Sequence, residues 1–347
     1  VKNDPQSSKN RSATKNIPRI AITMGDPAGI GPEIVLKALS DKKILKKCVP
    51  VVVGDAVFLA ETAEQLKLPF DLNVVRKGED FVFPAGKAGI YDLGNLKRNF
   101  RAGVESKTAG KAAAEYIETA VRLVLDKKAN AIATAPINKR SLSMAGIPFP
   151  GHTEFLAHLT GTKEFAMAFF GGKLCVVLLS IHVSLKQAIT LVKKKRLVDL
   201  IRLSERELGR LKNKAVRLAM AGLNPHASEQ GLFGSEEARE IIPALKECRE
   251  KYGINVLGPF SPDTIFIRAA QGEFDGVISC YHDQATIAVK CLAFGEAVNV
   301  TLGLPIIRTS VDHGTAFEIA GQGIADAASM KAAINLAAEF SINRIKS

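Results

Sequence analysis

Three of the six histidines fall in short, turn-like phrases that each follow an apolar run: His182 in SIHVSL, His226 in GLNPH and His282 in CYHDQ. The preceding runs, residues 174–179, 216–221 and 276–279, are short and β-branched or apolar, and read as strands. In a parallel sheet such strand ends share one edge, where ligands gather. Three neutral imidazoles meeting there would suit zinc or another borderline divalent ion, with coordination positions left for substrate. A single histidine past a strand commonly satisfies loop backbone. Three in equivalent places make a metal site the competing reading.

A second set of residues could hold an anion. GHTEF opens a helix with His152 and Thr153 at its start, where backbone N–H groups and two side chains can donate to a negative group, or where the phrase is a plain helix cap. Lys290 lies shortly after His282, and Asn299 and Arg308 follow in NVTLGLPIIRTS. Lysine supplies a point charge, and arginine can grip a phosphate or carboxylate with two parallel bonds. The glycine-rich MGDPAGIGPE fails the dinucleotide spacing, because Ile34 stands where the third glycine belongs. It also lacks the GK[ST] ending of a phosphate loop.

The elements that must position these groups alternate in type. Strands are expected at 19–23, 50–54, 72–75, 131–134, 174–179, 216–221, 276–279 and 298–301, with helices at 32–39, 107–128, 185–211, 235–251 and 327–344. This alternation argues for an α/β fold around a largely parallel sheet. With 347 residues, two domains are expected. The polar opening, residues 1–16, lacks the apolar core of a secretory signal and reads as an N-terminal arm.

Composition narrows the function. The five cysteines are scattered without a CxxC pair, which argues for free thiols, against a disulfide framework, and for a cytoplasmic setting. No apolar run reaches the ~18 residues of a membrane span. The net charge of +12 raises nucleic acid as a partner, but aromatic residues are only 6%, with no Trp, so no stacking platform is expected and nucleic acid is not. Much of the excess sits at 193–214, expected to be an amphipathic helix with a solvated basic face.

Taken in series, MGDPAGIGPE, GHTEF, GLNPHASEQGLFGSEE, GPFSPDTIF, YHDQ and NVTLGLPIIRTSVDHGTAFEIAG resemble the 4-hydroxythreonine-4-phosphate dehydrogenase family of vitamin B6 biosynthesis, from about residue 18 to near the C-terminus. The resemblance implies two α/β domains flanking a cleft, as in isocitrate and isopropylmalate dehydrogenases, without a Rossmann fingerprint. The divisions expected are 17–140 with 320–347 for the first domain, and 141–319 for the second, carrying the metal site and dimer interface. The resemblance further implies His182, His226 and His282 as ligands of a divalent metal (zinc, magnesium or cobalt) shared across a homodimer. His152, Thr153, Lys290, Asn299 and Arg308 would bind substrate, with NAD or NADP as the oxidant. Lys290, and Asp263 in SPDT, would take catalytic roles. The implied reaction is oxidation of 4-phosphohydroxy-L-threonine and decarboxylation to 3-amino-2-oxopropyl phosphate. The alternative is a dehydrogenase of four-carbon sugar-acid phosphates, 4-phosphothreonate or 4-phosphoerythronate. SIHVSL departs from the family's more usual THLPL, which leaves the histidine in place and loosens the substrate assignment.

Overall fold

The computed structural model describes residues 17–293 and 295–346, so the arm expected at 1–16 lies outside it. The chain divides into two compact units: residues up to His152 together with His313 onward, and Thr153–Asp312.

Among the described residues the first unit is built on five strands: β1 (Arg19–Thr23), β2 (Val49–Gly54), β3 (Leu72–Arg76), β4 (Ala88–Asp92) and β5 (Ala131–Thr134). They lie in the order β3-β4-β2-β1-β5, and every pairing is parallel. The central strands are buried on both faces, which is why IAIT, VPVVVG and AIAT are continuous apolar runs and not alternating ones. The helix Lys107–Leu125 starts on Ser106, whose hydroxyl accepts from Ala109 N, and buries Tyr116, Ile117, Val121 and Val124. MGDPAGIGPE crosses from β1 to the helix Gly31–Leu39 wholly buried. There the Asp26 carboxylate accepts from Ala28 N at 2.9 Å, and burial holds its pKa above the ordinary value.

Among the described residues the second unit holds seven strands: β6 (Ala166–Gly171), β7 (Leu174–Leu178), β8 (Leu218–Ala221), β9 (Val256–Phe260), β10 (Gly276–Ser279), β11 (Val298–Leu302) and β12 (Ile307–Val311). Their order is β12-β11-β6-β7-β10-β8-β9. The expected parallel pairing holds throughout the first unit and for half of this one. The pairs β7–β10, β10–β8 and β8–β9 are parallel, whereas β12–β11, β11–β6 and β6–β7 are antiparallel. The β6–β7 hairpin turns on Gly172 and Lys173, with Gly172 at φ +56°, a conformation that favours glycine. Met167, Phe169, Val176, Leu178, Phe266 and Phe274 are among the residues that close its core.

The amphipathic helix expected at 193–214 is present as Lys194–Lys212, but the single helix expected at 185–211 is not. Residues 185–211 fall in two helices, Leu185–Leu191 and Lys194–Lys212, separated at Val192 and Lys193. The break is made by Glu240, which accepts from Lys194 N at 2.8 Å and from Lys193 Nζ at 3.0 Å, supplying the missing cap. The basic face is answered at several points by other groups. Lys194 pairs with Glu247 at 2.7 Å, Lys214 with Asp275 at 2.6 Å, and the Arg202 guanidinium lies 4.3 Å from the Tyr252 ring centre.

Candidate functional site

The ends of β7, β10 and β8 lie side by side, and the loops leaving them carry His182, His282 and His226. These three strands are mutually parallel, so the loops emerge along one edge, whatever the antiparallel half of the sheet does. His282 begins the helix His282–Leu292, and its ring centre lies 5.7 Å from that of His182. Nδ1 of His282 is 2.7 Å from Asp283 Oδ1. An ionised carboxylate only accepts, so Nδ1 is the donor, and in the neutral imidazole this leaves the lone pair on Nε2. That tautomer is one a metal ligand can use, with the carboxylate orienting the ring.

His226 is held differently. It starts five successive non-glycine residues, His226 to Gln230, with φ between 45° and 72°. Left-handed backbone costs roughly 1–2 kcal/mol per L-residue, so the surroundings must impose this turn. They do so from Glu237, which is 1% exposed. Its carboxylate accepts from Leu223 N and Asn224 N at 2.8 Å and from Asn224 Nδ2 at 2.9 Å. The His226 ring stands 6.2 Å from that of Phe233. Among the described residues, no three His, Cys, Asp or Glu side chains come together closely enough to hold a metal ion. One chain thus brings His182 and His282 together and does not gather His226 into the same group. Two neighbouring imidazoles suit a borderline divalent ion in donor chemistry, with further donors needed to complete its shell.

Of the candidate anion-binding residues, Asn299 and Arg308 meet on the β11–β12 hairpin. The register sets Asn299 opposite Ser310 and Val300 opposite Thr309, which brings Asn299, Thr301 and Arg308 to one place. Arg308 is 3% exposed, and its Nη1 donates to Thr301 Oγ1 at 3.0 Å and to Asn299 Oδ1 at 3.3 Å. Burial pulls the guanidinium down to about 9, opposed by the charge of Glu154 in the first turn of the helix His152–Leu159. Thr153 in that same turn is buried at 5% exposure, while His152 belongs to the first unit. Lys290 is exposed on the helix Leu292 ends, with Nζ 3.8 Å from Asp312 Oδ2. Asp263 is exposed too. Its carboxylate is held below the ordinary range first by the Ser261 hydroxyl at 2.6 Å, with a smaller contribution from His226. Thr301 was not singled out in the sequence, although its alternation with Asn299 on a strand was the available signal. Cys280, between β10 and His282, is a buried thiol whose pKa burial pushes up, which makes it a poor nucleophile.

Comparison with known proteins shows what shares this arrangement. The model of the pyridoxal phosphate biosynthetic protein PdxA family matches residues 46–337. A D-threonate 4-phosphate dehydrogenase from Cupriavidus necator is 44% identical over 329 residues, covering 94% of this chain and 98% of its own. The crystal structure of a 4-hydroxythreonine-4-phosphate dehydrogenase from Klebsiella pneumoniae superposes with a TM-score of 0.85 at 41% identity, covering 93% of this chain and 99% of that one. A terephthalate 1,2-cis-dihydrodiol dehydrogenase from Burkholderia xenovorans is more distant, with a TM-score of 0.65 at 26% identity, over 93% and 98% of the two chains.

Proposed function

The chain belongs to the PdxA family of dehydrogenases, and from that premise we propose that it oxidises a 4-phosphorylated, four-carbon 3-hydroxy acid of the D-threonate type, using NAD or NADP. The observation that carries the choice of substrate is the 44% identity, nearly end to end, to a relative named for D-threonate 4-phosphate. The SIHVSL phrase, which departs from the family's more usual THLPL, leaves that choice of substrate open. The second reading, 4-phosphohydroxy-L-threonine, is favoured by the 41% identity to a structure named for that substrate. The two substrates differ in a hydroxyl or an amine at C2 and share the phosphate, the carboxylate and the 3-hydroxyl.

Each shared group has a counterpart among this chain's residues. The buried Arg308, steadied by Asn299 and Thr301, offers a charged fork to one anionic end. Thr153, at a helix start, adds a donor beside backbone N–H groups. Lys290 stands across from Asp312 and supplies positive charge where negative charge grows as CO₂ leaves. His182 and His282, with His226, would hold a divalent ion, zinc, magnesium or cobalt. Such an ion, when bound, would acidify a hydroxyl much as catalytic zinc lowers the pKa of its bound water to about 7. C3 would give up a hydride, for which NAD or NADP would be the acceptor when bound, and the hydroxyl proton would pass to solvent. The resulting 3-oxo acid would lose CO₂, and protonation of the three-carbon enolate would leave a hydroxyketone phosphate, or the aminoketone phosphate from the amino substrate.

A homodimer is part of the proposal. One chain does not gather three ligand groups, and the second unit exposes Leu185, Leu232, Phe233, Ile267, Ile287 and Leu292, more large apolar side chains than water favours. The test of substrate class is kcat/KM for the two phosphorylated acids side by side. The proposal expects preference for D-threonate 4-phosphate. Preference for 4-phosphohydroxy-L-threonine would move the chain to the B6 branch, and turnover of neither would reject both.

A further inference from the structure

We propose that Gln284 is a positioning residue that fixes the turn bearing His226 against the helix that His282 begins. The inference rests on the reading of both histidines as metal ligands. Gln284 lies on the first turn of that helix and is 9% exposed. Its Nε2 donates to the Gly222 carbonyl at 2.7 Å, and its Oε1 accepts from Cys280 N at 2.7 Å. One side chain therefore joins the backbone leaving β8, just before His226, to the backbone leaving β10, just before His282. An amide is suited to this because it donates and accepts from one planar group. A carboxylate cannot donate, and an apolar chain of the same length does neither.

The link continues to the third histidine loop. The Ser180 hydroxyl, also buried, donates to the Cys280 carbonyl at 3.0 Å. Both polar groups of the Cys280 peptide unit are thus engaged, its N–H by the residue that reaches the His226 loop and its carbonyl by the loop that reaches His182. The His226 side of the link transmits position because it has no slack. A Cβ on Gly222 would lie 2.8 Å from Ala227 Cα, so the turn rests directly on the residue Gln284 holds. Glu237 clamps Leu223 and Asn224, the next residues along, and the left-handed run begins immediately after Pro225. Without the Gln284 bond, Gly222 keeps its strand-end contact with Phe260 O, but its carbonyl is buried without the amide donor, and the loop is free to shift.

The test reads metal, not turnover. Metal-free full-length protein is titrated with Co²⁺ against a chelating indicator, recording affinity and the visible ligand-field spectrum, with thermal denaturation of the metal-free form as control. Gln284→Met keeps the volume and loses both bonds. It is expected to weaken Co²⁺ binding about 10- to 100-fold, the range for losing groups that orient metal ligands, and to change the spectrum. His226→Ala should weaken binding at least as much. If His226→Ala weakens binding and folded Gln284→Met keeps wild-type affinity and spectrum, the inference is overturned while the histidine reading stands, even if the melting temperature falls. If His226→Ala itself binds Co²⁺ like the wild type, the reading beneath the inference fails, and the inference with it. Should Gln284→Met not fold, Gln284→Glu keeps the acceptor for Cys280 N without the donor to Gly222, and carries the same expectation and the same refutation.

Discussion

Replacing Arg308 by Met separates what this residue does for binding from what it does for the fold. The guanidinium is buried, and its Nη1 bonds are to two neutral oxygens, Asn299 Oδ1 and Thr301 Oγ1. Burial pulls it down to about 9, so at neutral pH it remains charged in a place that penalises charge. An anionic substrate group relieves that penalty. A hydrogen bond to a charged group contributes about 1.5–3 kcal/mol, and two from the guanidinium give about 3–6 kcal/mol. At about 1.4 kcal/mol per tenfold, Arg308→Met should lower kcat/KM by about 10²- to 10⁴-fold. Stability should fall by about 1–3 kcal/mol. The apolar replacement removes the buried charge, but it leaves Asn299 Oδ1 and Thr301 Oγ1 short of a donor and the Glu154 carboxylate without its opposite charge. The assay is initial-rate kinetics on the phosphorylated substrate, paired with thermal denaturation in the same buffer. Native kcat/KM in a folded variant would refute the anion-binding role. A collapse in melting temperature that accounts for the lost activity would show that the residue serves the core instead.

His282→Ala removes one of the two neighbouring imidazoles and should reduce divalent-ion affinity by at least about 100-fold, as read by chelator competition; unchanged affinity would place the ion elsewhere. Asp275 gives the pH dependence. Burial pushes its pKa up, but the Lys214 ammonium at 2.6 Å and the Arg217 backbone N–H at 2.9 Å outweigh this and hold it below the ordinary 3.8. A depressed carboxylate contributes stability that is present above its unfolded pKa and is lost as pH falls through its folded one. Asp275→Asn should therefore lower stability at pH 7 by about 1–2 kcal/mol, the exposed lysine adding little. It should also flatten the acid limb of a stability profile below about pH 4; a parallel profile would show that the carboxylate is not held down.

How much of this was legible in the sequence depended on how local each cause was. Strands β1, β5 and β10 were read to the residue, because RIAIT, AIAT and GVIS are apolar runs bounded by turn residues. Strands β4, β6, β9 and β12 were missed. AGIYD and AMAFFG owe their place to partners rather than to β-branched composition, and VLGPF carries a proline that is tolerated because β9 is an edge strand. The Gly171-Gly172 pair could have signalled the β6–β7 hairpin and so the antiparallel half of the sheet. The break at Lys193 was invisible, since the carboxylate that caps the second helix is Glu240, 46 residues away.

The site divides in the same way. Histidines placed just past β7, β8 and β10 could be recognised because strand ends are a sequence feature, and the parallel order of those strands is what brings their loops to one edge. That His182 and His282 adjoin while His226 stands apart depends on the left-handed turn from His226 to Gln230. Nothing in PHASEQ calls for such a backbone. It is imposed by Glu237, Gly222 and Phe233, and so belongs to tertiary structure. The pairing of Thr301 with Arg308 likewise needed the hairpin register, which a reading that ended β11 at residue 301 and did not identify β12 could not supply.

The central claim, a metal-dependent dehydrogenase acting on a phosphorylated hydroxy acid, is tested most directly by following reduced nicotinamide at 340 nm. D-threonate 4-phosphate is supplied with NAD or NADP to the native protein, then to chelator-treated protein, and then after Zn²⁺, Mg²⁺ or Co²⁺ is restored. The account predicts turnover that chelation abolishes and one of these ions restores. Undiminished turnover after complete metal removal would contradict it.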